Sequence, residues 1–193
     1  MIRKLLLFTL LLCISHLTFP QKQNEVRIYY GLVDSKILND KDLDGGSSYD
    51  LKNTREIGIH YIKRITPNFS LETGLNYFSA DLEKSSISWG GSPGTSFESY
   101  GLLSIPLLAR LSFWNYFFAN AGPVIDFQTT DHEIASQSGI GYSLGLGAQY
   151  YFNNFSIFVN PNFRQHSLVS FEKENNQGKL TGFGIKMGIG YRF

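Results

Sequence analysis

The chain is poor in the residues that usually carry chemistry. It has one cysteine, Cys13, two methionines and two tryptophans in 193 residues. Cys13 lies in the N-terminal apolar run, so the chain beyond about residue 20 can form no disulfide and no thiolate metal site, and its stability rests on packing and hydrogen bonding. Charge of one sign is also lacking: 17 Lys and Arg face 16 Asp and Glu, a net charge of +1. With no basic tail, nucleic acid is excluded as a partner. After the N-terminus there is no apolar run long enough to cross a bilayer as a helix and no helical period. In their place are 19 glycines, 16 phenylalanines and 11 tyrosines, a composition that favours strands and tight curvature.

Residues 1–20 have a charged start (Arg3, Lys4), an apolar run from Leu5 to Ile14 and a more polar tail. This is the layout of a cleaved secretory signal, too short for a spanning helix. Leu12 precedes Cys13 where a lipid-anchor signal wants a small residue. The remaining 21–193 read as one domain.

The last twelve residues, G-F-G-I-K-M-G-I-G-Y-R-F, set the pattern. Side chains alternate faces along a strand. Phe183, Ile185, Met187, Ile189, Tyr191 and Phe193 therefore share one face, and glycine, Lys186 and Arg192 occupy the other. The same plan recurs in Glu25–Val33, Thr54–Ile65, Phe69–Leu82, Ser99–Phe113, Phe117–Gln128, Gly139–Phe152 and Phe155–Ser167. Short turns fall at Thr66-Pro67-Asn68, Trp114-Asn115 and Asn153-Asn154. Polar stretches separate the other strands, so connections alternate long and short. An even strand count with this alternation predicts an all-β fold, an eight-stranded antiparallel up-and-down transmembrane β-barrel with short periplasmic turns and long extracellular loops.

The charges separate this barrel from a soluble one with an apolar cup. Large apolar residues line one face of every strand, with Arg55 and Lys63 as its only cations near strand ends. The opposite face collects Arg27, Arg64, Arg110, Arg164, Lys186 and Arg192 against Glu56, Glu72 and Asp126, a surplus of cation that must meet water or an anion. Eight strands leave a lumen just wide enough for side chains to fill, so these ions are expected to pair inside it. Pro106, Pro123 and Pro161 fall inside strands and remove ladder donors; bulges are the expected remedy.

Two segments carry a family resemblance. G-L-L-S-I-P-L-L-A-R (Gly101–Arg110) and F-F-A-N-A-G-P-V-I (Phe117–Ile125) resemble the fourth and fifth strands of the Bacteroidota-type outer-membrane β-barrel domain family, which includes PorT-like proteins. The terminal Lys186-x-Gly188-x-x-Tyr191-x-Phe193 is similar to the signal by which such barrels are recognised by their insertion machinery. The resemblance implies an outer-membrane location, contact with lipid and with that machinery, and no catalytic residues or cofactor.

His166 and Ser167 are the one pair that invites comparison with outer-membrane lipid deacylases; adjacency on a strand puts them on opposite faces unless a bulge intervenes. His60 beside Glu56 reads as a hydrogen-bonded filler, and Asp131-His132-Glu133 as a solvated loop. Asp40, Asp42 and Asp44 followed by Gly45 open a calcium-loop pattern, but position twelve is Leu51 rather than a bidentate acid, which leaves calcium a weak ligand at best. The functional expectation is a structural or interaction barrel, non-enzymatic, that binds another envelope protein; a small-solute pore is the alternative, and a lipid-modifying enzyme ranks below both.

Overall fold

Alternating apolar and polar residues can be buried on both faces only if the sheet closes around the polar side and offers the apolar side to lipid. The chain does this. In a computed structural model, which describes residues 24–38, 48–86, 94–130, 136–171 and 179–193, eight strands run β1 Asn24–Leu38, β2 Ser48–Arg64, β3 Phe69–Ser86, β4 Gly94–Phe113, β5 Phe117–Gln128, β6 Gly139–Phe152, β7 Phe155–Ser170 and β8 Lys179–Arg192. Each pairs antiparallel with its sequence neighbour, and β1 pairs with β8 from Glu25↔Arg192 to Leu38↔Lys179 to close the barrel. Residues 1–20, the Asp40–Asp44 stretch and the Asp131–Glu133 stretch lie outside the described residues.

The barrel is inside-out relative to a soluble protein. Ile28, Leu32, Leu111 and Leu146 are 52%, 56%, 56% and 61% exposed, whereas Arg27, Glu56 and Asp126 are 1%, 2% and 0% exposed. Arg55 and Lys63 face outward, as expected. Rings gather at the short-turn rim: Trp114 packs on Phe113 and Phe117, Tyr116 stacks on Tyr150, and Phe155 meets Phe152 and Tyr191. That is the position of an interfacial girdle. At Gly188 the strands pass so close that a methyl group would strike Ile28 O and Tyr29 Cα.

The prolines are accommodated differently from the expectation. The ladder skips from Thr73↔Leu107 to Asn76↔Ser104 at Pro106, from Pro106↔Val124 to Ala109↔Ala121 at Pro123, and from Gly145↔Asn162 to Ala148↔Val159 at Pro161. Register is unchanged across each gap, so a missing donor costs local pairing without a bulge. The bulges lie elsewhere: in β2 between Lys52 and Arg55, and in β7 opposite the Ile140–Tyr142 step of β6. Each contains a non-glycine residue at positive φ, Asn53 (52°) and Ser167 (47°).

Strand lengths are unequal. β4 has 20 residues and β5 has 12, and β4 has no β5 partner before Leu102. On the long-loop side β2, β3 and β4 therefore continue beyond β5. A shallow apolar groove crosses the outer wall over Ala109, Ala119, Ala121, Leu144 and Leu146, on the lipid-facing surface.

Candidate functional site: the packed lumen

The inward side chains form three polar clusters along the barrel. The first is nearest the short turns. Arg27 Nε donates to Glu25 Oε1 at 2.7 Å and Arg27 Nη2 to Gln149 Oε1 at 2.7 Å, while Arg110 Nη2 also donates to Gln149. Ser156 Oγ (2.5 Å) and the Tyr151 hydroxyl (3.2 Å) complete the shell of Glu25. Both guanidiniums lie on rings, Arg110 over Phe118 at 3.5 Å and Arg27 over Phe158 at 4.5 Å, so the rings hold cations that water cannot reach.

Glu72 links this cluster to the next. It accepts from Arg110 Nη1 (3.2 Å) and Asn120 Nδ2 (3.3 Å), and lies 2.6 Å from His60 Nδ1. The other ring nitrogen of His60 is 2.7 Å from the Asn76 side-chain amide, so the histidine is a hydrogen-bonded filler, tied to Glu72 rather than to Glu56. In the second cluster Glu56 accepts from Arg164, from Lys186 Nζ at 3.0 Å and from the Tyr29 hydroxyl at 2.5 Å. In the third, Asp126 accepts from Ser104 Oγ at 2.6 Å and lies 2.8 Å from His166 Nδ1. Phe78, Ala80, Tyr100, Leu102 and Leu180 cap the stack, with Val33 and Leu51 packed against them.

Two corrections to the sequence reading follow. Among the described residues the buried charges are Glu25, Glu56, Glu72 and Asp126 against Arg27, Arg110, Arg164 and Lys186, a balanced set with no cationic surplus in the core of the lumen. Glu25 shares the inward parity of Arg27 and belongs to the set, whereas Arg64 and Arg192 are only half-buried, at the rim. The second correction concerns His166 and Ser167. Three residues of β7 stand opposite Gly141, so both side chains turn inward and each is 4% exposed. Gly141 makes this possible, since a Cβ there would collide with Gln165 O. The strand pattern held no signal for this bulge. His166 is committed to Asp126 and lies against Phe78, ring centres 6.3 Å apart, beneath the cap.

Among the described residues no group of three or more His, Cys, Asp or Glu side chains is placed to hold a metal ion. The proposed calcium ligands Asp40, Asp42 and Asp44 lie outside those residues.

Comparison with known proteins agrees with this architecture. The sequence model of a family described as outer membrane protein beta-barrel domain matches residues 5–193. Among solved structures, the chain is similar to the outer membrane protein AlkL in DMPC lipid bilayers, at 13% identity and a TM-score of 0.55 over 91% of this chain and 95% of that one. It is also similar to OprG from Pseudomonas aeruginosa, at 14% identity and a TM-score of 0.51 over 90% of this chain and 97% of that one. At such identities the likeness is one of fold. No curated protein sequence matches the chain.

Proposed function

Because the chain belongs to the outer membrane protein β-barrel domain family and sits in the outer membrane, we propose that it serves there as a structural or interaction barrel, exported by a cleaved signal, that works through its rims and loops rather than through its bore. The observation that carries this reading is the lumen itself. Buried ion pairs and hydrogen-bonded polar side chains fill it from Glu25 to Asp126, and the Phe78–Leu180 cluster caps it. An eight-stranded bore packed with side chains holds water files at most. The I-P-L-L and A-G-P segments favour the Bacteroidota-type branch with PorT-like members, and an envelope protein as partner. A non-enzymatic role agrees with His166 being held by Asp126 under an apolar cap, where no lipid ester reaches it.

Planar-bilayer recording of the purified protein tests the sealed bore. The expected record has no discrete steps, and stable porin-like conductance would replace this reading with the small-solute pore. In parallel, cross-linking in intact outer membranes is expected to join the barrel to a specific envelope protein. A barrel that remains free of protein cross-links under these conditions would count against an interaction role.

A further inference from the structure

The short-turn rim, which faces the periplasm in outer-membrane barrels, has an electrostatic character unlike that of the lumen above it. A small polar depression there is lined by Arg64, Ser70, Ser112, Tyr151 and Arg192, with Glu25 and Arg110 at its floor. The acids of the lumen are already engaged: Glu25 accepts from Arg27, Ser156 and Tyr151. Neither Arg64 nor Arg192 forms an ion pair with a carboxylate among the described residues. Arg192 is nonetheless fixed in place. Its guanidinium lies over the Tyr151 ring at 3.6 Å and its Nη2 donates to Asn153 O at 3.4 Å. Its Nε is buried and has no hydrogen-bond partner among the described residues. Arg64 reaches the same depression from the end of β2, and Lys63 next to it adds a third positive charge on the outer side of the rim.

We propose that this rim is an anion site in which Arg64 and Arg192 together hold one carboxylate or phosphate group presented from the periplasm. A held guanidinium with an unsatisfied N–H is pre-organised for the in-plane pairing that carboxylate and phosphate oxygens make with arginine. The depression is only about 10 Å³, room for roughly one oxygen. The ligand therefore inserts one edge, and its body stays in the periplasm.

The test uses the full chain refolded in detergent micelles with ¹⁵N-labelled arginine. The Arg192 Nε resonance is followed while inorganic phosphate, acetate or chloride is added at matched ionic strength. Saturable shifts with phosphate or acetate, and none with chloride, are expected. Saturation by phosphate alone assigns a phosphate-bearing ligand, and saturation by acetate alone a carboxylate. Arg64→Gln, checked for heat-modifiable migration on gels, is expected to weaken binding by about tenfold. If that variant does not fold, Arg64→Lys replaces it, with a smaller loss expected. Shifts that follow ionic strength equally for all three salts, or unchanged saturation in the Arg64 variants, would overturn the proposal.

Discussion

Glu56 accepts hydrogen bonds from three different strands, through Tyr29 of β1, Arg164 of β7 and Lys186 of β8. Removing it strands two buried cations, so Glu56→Ala is expected to destabilise the folded barrel by about 3–5 kcal/mol, measured by denaturant unfolding in detergent. A loss below about 1 kcal/mol would mean that water enters and screens Arg164 and Lys186. The inward parity of Glu56, Arg164 and Lys186 is legible in the sequence, because alternation fixes faces. Their partnership is not, since Glu56 and Arg164 are 108 residues apart and meet only across a lumen whose stagger the sequence pattern does not encode. Glu25 illustrates the same limit at strand ends: leaving it out of the inward set and counting the rim residues Arg64 and Arg192 in it turned a balanced lumen into a cationic one.

At the level of elements, β5 and β6 span the residues expected from alternation, Phe117–Gln128 and Gly139–Phe152. β1, β2, β3 and β4 run several residues longer than expected on the long-loop side. The outward face there meets water rather than lipid, so exposed polar residues such as Asp34, Lys36 and Glu98 continue the strands without an outward apolar face to reveal them. The β7 bulge was equally hidden, because a left-handed residue is normally marked by glycine or asparagine and here it is serine. That makes a measurable difference. Ser167→Gly is expected to stabilise the barrel by about 0.5–1 kcal/mol by relieving the positive φ, read from the same unfolding curves. Destabilisation would show that the Ser167 side chain supplies packing worth more than the backbone strain.

For the molecule as a whole, β1 and β8 are joined at the rim by Phe193 N donating to Asn24 O at 3.1 Å, and the Phe193 ring is exposed toward lipid. Deleting Phe193 removes one pairing and one aromatic anchor, a small share of the closed ladder. If the terminal strand addresses the chain to the insertion machinery, the deletion is expected to lower its abundance in the outer membrane several-fold while the refolded barrel keeps nearly its full stability. Normal abundance together with heat-modifiable migration would reject that role.

The cross-lumen bonds also bear on how the molecule is made. Arg27 and Gln149 are 122 residues apart, and Glu25 and Ser156 are 131 apart. A curl of six strands has neither Arg164 nor Lys186 opposite Glu56, so that carboxylate must remain in water, where it is solvated. Entering hydrocarbon with the seam open would strip that solvent from it at a cost of several kcal/mol. Seam closure is therefore expected to accompany entry into the bilayer, late in biogenesis. The acid that ties the finished seam together opposes the entry of an unfinished barrel.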